Sequence, residues 1–155
     1  MTADVESVGA ILDSLAGPDD RVWPSRSWPA MRLDRALQVG SSGGHGPIRY
    51  VVQSRVPGHE VVFRFLAPRG FHGTHAFSVS ASPSGALVSH TLSMRAAGTG
   101  MVAWLLVFRP LHDALIEDAL SNIERAATGD AKEVPWSPFV RLLRTLFGRR
   151  PRRSN

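Results

Sequence analysis

Residues 72–96 read HGTHAFSVSASPSGALVSHTLSMRA, and this stretch decides the fold. Residues 72–80 and 87–96 alternate apolar and polar side chains with a period of two, which predicts two β-strands. The four residues 81–84 between them are small or turn-forming, and four is a common length for a hairpin loop. The stretch therefore predicts an antiparallel β-hairpin.

The register of this hairpin determines which side chains meet on its apolar face. If Ser80 pairs with Gly85, His75 lies directly opposite His90. A slip of two residues would separate the two histidines. His72 has the opposite strand parity to His75, so its side chain is expected to point away from that face.

Upstream of the hairpin, the same alternation continues between turn signals. It predicts strands over residues 31–39, 48–56 and 60–66, which makes a five-stranded antiparallel sheet. The glycine-rich residues 40–46 are followed by a strand, whereas a phosphate-binding loop is followed by a helix. We therefore interpret residues 40–46 as a hairpin loop.

Helical spacing of apolar residues appears on both sides of the sheet. Residues 4–15 form a short amphipathic pattern, and residues 101–127 form the longest helical stretch. Its first two turns are apolar nearly all round, which is typical of a buried helix. Pro110 should kink or divide this helix, and Gly129 should end it. The fold class is α+β, with a curved antiparallel five-stranded sheet wrapped on a long C-terminal helix.

Charge separates the end of the chain from the rest. Residues 136–155 hold six arginines and no acid, whereas the other 135 residues hold 12 basic and 13 acidic side chains. A nucleic-acid-binding face is disfavoured, because the excess charge sits in an appendage. We divide the chain into a domain over residues 1–130 and a basic amphipathic helix with an arginine-rich end over residues 131–155.

This C-terminal segment has two interpretations, which the sequence leaves open. In the first, it lies on an anionic membrane surface as a peripheral helix. In the second, it docks on its own domain with a solvated arginine end. Trp136 suits either interface.

Composition narrows the remaining possibilities. With 43% hydrophobic and 20% charged residues, the chain has the composition of a globular protein. It contains no cysteine, so disulfides and thiolate metal sites are excluded. The acidic start of the chain does not resemble a signal peptide, and the longest apolar run, residues 101–108, is too short to span a bilayer. These features predict a cytoplasmic protein.

Three segments carry a resemblance to a known superfamily. They are GGHGPIRY at residues 43–50, PGHEVVFRF at 57–65 and FRPL at 108–111, the last followed by Leu115 and Ile123. Together with the order of elements over residues 4–128, they resemble the START-like (SRPBCC) helix-grip superfamily, in particular its polyketide cyclase/dehydrase and lipid-transport branch.

The resemblance implies a cavity between the sheet and the long helix that binds a hydrophobic small molecule, with catalysis in some members. Members usually have a strand before the first helix, whereas only residues 1–3 precede it here. One sheet edge is therefore expected to be exposed, and the protein is expected to be a monomer or a weak homodimer.

The candidate ligand-binding residues are those that the pattern places on the inward faces. They are Arg35, Tyr50, Phe63, Phe65, His75, Phe77, His90 and Trp104. Arg35 breaks an apolar face, so it either pairs with a ligand carboxylate or Asp113, or turns outward at a β-bulge. The Tyr50 hydroxyl either orients a ligand or bonds to backbone or water.

His75 and His90 are also the candidates for chemistry, since imidazole binds metals and titrates near neutrality. No third ligand accompanies them, so no metal site and no cofactor are predicted. Carriage of a lipid-like or polyketide-like molecule ranks first among the functions. A cyclase or dehydrase with His75 or His90 as general base ranks second, and a membrane-surface or interaction module acting through residues 136–155 ranks third.

Overall fold

The structure is a computed structural model that describes residues 1–147 apart from the Thr99 side chain. The expected α+β class, with an antiparallel sheet and a long helix, is confirmed. The sheet has six strands rather than five, and they pair in chain order. They are β1 (Arg32–Leu33), β2 (Ser42–His45), β3 (Ile48–Val56), β4 (Glu60–Ala67), β5 (Phe71–Ser82) and β6 (Gly85–Ala96).

The extra strand comes from the glycine-rich segment, so its interpretation as a hairpin loop was wrong. Ser42–His45 pairs with β1 on one side and with β3 on the other. A Cβ at Gly43 would collide with the carbonyl of Arg32, and one at Gly44 would collide with the carbonyl of Ile48. Glycine is needed here because neighbouring backbones approach too closely for a side chain.

The first predicted strand is correspondingly shorter than expected. Of residues 31–39, Arg32–Leu33 alone form a strand, and bends follow. The Ser41 hydroxyl donates to the Ala36 carbonyl at 2.7 Å, and a guanidinium N–H of Arg35 donates to the Gly40 carbonyl at 2.9 Å. These local bonds replace sheet pairing over the second half of the predicted strand.

The β5–β6 hairpin forms, but with a different register from the expected one. Ser82, not Ser80, pairs with Gly85, so the loop shortens to two residues. His75 lies opposite Leu92, and Phe77 lies opposite His90. This slip of two does not separate the histidines, because diagonal neighbours on one face remain within reach of each other.

The long helix is α-helical at both ends and π-helical between them. It comprises α2 (Thr99–Ala103), a π-helical turn (Trp104–Phe108) and α3 (Arg109–Thr128). Proline clashes with the carbonyl four residues before it in an α-helix, here that of Leu106. The wider π-turn, in which the Arg109 N–H bonds to the Trp104 carbonyl, accommodates Pro110 without a break in the chain. Gly129 ends α3 in the left-handed conformation, as expected.

Burial along this helix is the reverse of the expectation. The π-turn contains no buried residue, and Met101, Val102, Leu105 and Leu106 are each more than half exposed. The buried residues lie in α3, at Leu115, Ile116, Ala119 and Ile123. They pack with the preceding helix α1 (Val5–Leu12) and the inward face of the sheet.

The start of the chain covers the beginning of the β6 edge. The Met1 amino group donates to the Ala86 carbonyl at 2.9 Å, and the Ala86 N–H donates to the Met1 carbonyl at 3.2 Å. This pair of bonds covers part of the sheet edge that the sequence led us to expect to be exposed.

The C-terminal helix α4 (Pro138–Phe147) docks on the domain through one face. Val140 and Leu143 are buried, and the Arg144 guanidinium lies 4.3 Å from the Trp28 ring and 4.1 Å from the Trp136 ring. Residues 148–155, which hold the predicted arginine-rich end, lie outside the described residues. Within the described residues, no helix is long and apolar enough to cross a membrane.

Asp118 on α3 holds the two tryptophans beneath Arg144. One carboxylate oxygen accepts from the indole N–H of Trp28 at 2.7 Å and from that of Trp136 at 3.0 Å. Hydrogen bonds to a charged acceptor are stronger than neutral ones, and their loss leaves both donors unpaired. This carboxylate therefore joins the tryptophan connector, α3 and the start of α4.

We expect Asp118→Ala to lower the free energy of unfolding by about 1–3 kcal/mol, because two partly buried indole N–H groups lose their acceptor. Urea unfolding measures the change. Glu117→Ala is the matched control, since Glu117 is the exposed neighbour on the same helix. Equal stability of the two variants would show that the shared carboxylate does not hold this corner.

Candidate functional site

The structure brings most of the predicted site residues to one interior region. Tyr50, Phe63, His75 and Phe77 are buried, and Phe65, His90 and Trp104 are half-buried. Arg35 lies elsewhere, with its side chain 57% exposed beside Asp34 and bonded to the Gly40 carbonyl. Because the first strand ends before Arg35, that residue turns outward, through bends in the chain rather than at a β-bulge, and it does not join the other predicted ligand-binding residues.

His75 occupies the centre of this region. It lies opposite Phe63 across β4 and β5, and its ring stacks on Phe63 at 5.0 Å and on Phe65 at 5.1 Å between centroids. Its Nδ1 lies 3.4 Å from His90 Nε2, whereas its buried Nε2 has no hydrogen-bond partner among the described residues. Burial holds the pKa of His75 well below its usual value, and the adjacent His90 lowers it further. The imidazole is therefore neutral.

His112, which the sequence analysis did not select, reaches the same region from α3. Its ring lies 5.1 Å from that of His90 and 5.9 Å from that of Trp104. Its Nδ1 lies 3.2 Å from the Asp113 carboxylate, but its buried Nε2 has no partner among the described residues. Burial lowers the pKa of His112 despite Asp113.

His90 lies between His75 and His112 and contacts both. It is half-buried on β6, and burial, together with His112, lowers its pKa to about 3. Three neutral imidazoles thus lie side by side, one from each of β5, β6 and α3.

Six aromatic side chains form a closed series of contacts around this region, which we call the aromatic circuit. Neighbouring ring centroids are 5.1 to 6.4 Å apart. In order, the circuit comprises Phe65, Phe71, Trp104, His112, His90 and His75. His75 and Phe71 are buried, whereas the other four members are half-buried. Four of the six rings are therefore partly accessible to solvent.

The Tyr50 ring packs edge-on against His75 at 5.2 Å between centroids, but its hydroxyl has a partner outside the circuit. The hydroxyl lies 3.3 Å from His45 Nδ1, and the Trp23 ring packs on His45 at 4.7 Å. Burial raises the pKa of Tyr50 and lowers that of His45 to about 3. The polar tip of Tyr50 is thus satisfied within the protein, by a histidine that the sequence analysis had placed in a loop.

Two surface depressions in the described part of the chain lie away from this region. One, of about 370 Å³, includes Arg32 and Arg49 in its lining, and the other, of about 430 Å³, includes Val5 and Pro57. The aromatic circuit joins rings of the sheet to rings of the long helix, which is where the superfamily resemblance implies a cavity. Among the described residues, no three His, Asp or Glu side chains converge as a metal site.

The buried histidines make stability dependent on pH. Between about pH 6.5 and about pH 3, His45 and His90 bind protons in the unfolded chain but not in the folded one. Stability is therefore highest above pH 6.5 and falls as the pH falls through this window. Each histidine contributes at most about 1.4 kcal/mol per pH unit.

We expect His90→Phe to make this pH dependence shallower, because one such histidine is removed. Urea unfolding at about pH 7.5 and about pH 5 measures the slope. His72→Phe, at an exposed position of the adjacent strand, serves as the control and should keep the wild-type slope. Identical slopes for both variants would contradict the role assigned to His90.

Solved structures share this architecture. The crystal structure of CalU16 from Micromonospora echinospora is 16% identical over 96% of this chain and 79% of that protein, with a TM-score of 0.54. Its solution structure gives 13% identity, coverage of 94% and 79%, and a TM-score of 0.56. SSP2350 from Staphylococcus saprophyticus is 11% identical over 87% of this chain and 92% of that protein, with a TM-score of 0.52.

No family model matches the sequence, and no curated protein does. At identities this low, the structural likeness shows the fold alone. The shared fold is an antiparallel sheet with a long helix, as expected from the sequence.

Proposed function

We propose that the protein binds a hydrophobic small molecule at the aromatic circuit, between β6 and the long helix. The observation that carries this proposal is the pair of buried imidazole nitrogens, His75 Nε2 and His112 Nε2, that lack partners among the described residues. An unpaired buried polar atom is costly, and a ligand that hydrogen-bonds to it recovers that cost. An apolar wall with a few polar groups is the usual composition of a small-molecule site.

Entry of a ligand requires space, which the π-turn can provide. Trp104 and Phe108 both contact Phe71 from this turn, at 5.7 and 5.2 Å between centroids. No residue of the turn is buried, so few contacts oppose an outward shift of these two rings. π-helical turns also occur frequently at functional sites. We infer that Trp104 and Phe108 move away from the sheet to admit the ligand.

The chemistry of the circuit favours an uncharged ligand. Its polar members are neutral imidazoles, and Asp113, which touches His112, is 62% exposed. No cationic side chain belongs to the circuit to neutralise a carboxylate. The superfamily resemblance suggests a lipid-like or polyketide-like molecule, and a neutral one fits this environment.

Acid–base catalysis of a cyclase or dehydrase type is the second candidate. It is favoured by the contact between His90 Nε2 and His75 Nδ1, which can share one proton. However, a general base works best when its pKa lies near the working pH, and that of His90 is about 3. This low basicity supports binding over catalysis.

We expect Leu92→Trp to weaken ligand binding at least about tenfold. Leu92 is half-buried directly opposite His75, so a larger ring there would occupy space beside the circuit. Fluorescence titration with N-phenyl-1-naphthylamine, a neutral apolar probe, measures the affinity. Leu87→Trp is the matched control, since Leu87 lies on the same strand but is exposed.

Equal affinities of the two variants would place the binding site away from the circuit. The proposed function would be overturned if the wild-type protein bound neither the probe nor any apolar compound extracted from cells. Circular dichroism establishes that both variants are folded.

A further inference from the structure

Helix α4 carries a second apolar face that its docking leaves uncovered. Phe139, Leu142 and Leu146 are 48%, 54% and 66% exposed, whereas Val140 and Leu143 are buried against the domain. With 3.6 residues per turn, the exposed stripe and the buried face lie about 100° apart around the helix. The helix can therefore remain on the domain while its second face contacts something else.

The charge of this region selects among the partners that an apolar face can take. Residues 136–155 carry six arginines and no acidic residue. Arg141 is exposed on α4, whereas Arg144 is held over the two tryptophan rings. Two copies of the chain meeting through α4 would bring like charges together, whereas an anionic surface would attract them.

We propose that the exposed face of α4 docks the protein on an anionic lipid surface. Phe139, Leu142 and Leu146 enter the interface between headgroups and acyl chains, and the exposed Arg141 contacts acidic headgroups. The arrangement has the composition of an interfacial helix, with bulky apolar residues on one side and arginine on another. The contacts of Val140, Leu143 and Arg144 with the domain stay in place. The lipid surface is thus a second site, distinct from the aromatic circuit.

Vesicle flotation with the full chain tests this proposal. We expect wild-type protein to bind vesicles containing about 30 mol% phosphatidylserine in phosphatidylcholine, and to bind pure phosphatidylcholine at least about tenfold more weakly. Raising the salt concentration to about 0.5 M should reduce binding, since screening weakens attraction to the headgroups. Equal binding to the neutral vesicles, or no binding to either type, would overturn the proposal.

Leu142→Gln with Leu146→Gln removes two of the three apolar side chains of this face without introducing a poor helix former. We expect this double variant to lose at least about tenfold in affinity for the anionic vesicles. Leu66→Gln with Leu87→Gln is the matched control, because these two leucines are about equally exposed but lie on the sheet. Wild-type affinity of the α4 variant, or an equal loss in the control, would overturn the assignment of the surface to α4.

Light scattering after size exclusion tests whether a second copy of the chain, rather than a lipid surface, covers this face. A wild-type dimer that Leu142→Gln with Leu146→Gln converts to a monomer, without vesicle binding by either protein, would assign the face to a second copy of the chain and overturn the proposal. A wild-type monomer that binds anionic vesicles supports it.

Discussion

The backbone pairing of β5 with β6 is the constraint on which the candidate site depends. Twelve residue pairs join the two strands, from Phe71 with Ala96 to Ser82 with Gly85. This register places His90 diagonal to His75, so that their ring nitrogens approach to 3.4 Å. A shift of one residue would turn every side chain of the shifted strand to the other face of the sheet. The circuit of rings would then lose His90, its link between the sheet and α3.

The periodicity of apolar residues was sufficient to predict four of the strands, from a period of two, and the long helix, from helical spacing. Burial of one face imposes such a period on the side chains. This periodicity was insufficient for the register of the hairpin. Residues 80–84 are all small or turn-forming, so the pattern locates two strands without fixing where the turn begins. It also failed at β2, since Gly43 and Gly44 have no side chains to alternate. Their role is visible only from the close approach of Arg32 and Ile48.

The candidate site was predicted in part for the same reasons. Residues on regular strands, such as His75 and Phe65, could be assigned to the inward face. His112 was missed although it precedes Leu115, Ile116 and Ala119 by three, four and seven residues, which is the spacing of one helix face. A single histidine on such a face is also compatible with an exposed position at its margin. The partner of Tyr50 could not be predicted, because it required β2 to be recognised as a strand.

Pro110 determines how the two walls of the aromatic circuit differ. On its C-terminal side, α3 is held by buried residues and by the bonds of Asp118 to Trp28 and Trp136, so His112 has a fixed position. On its N-terminal side, the π-turn that accommodates the proline carries Trp104 without burying any residue. Fixed polar groups orient a ligand, whereas a weakly packed segment can open at low cost in free energy. One proline thus separates the part of the helix that would orient the proposed ligand from the part that would admit it.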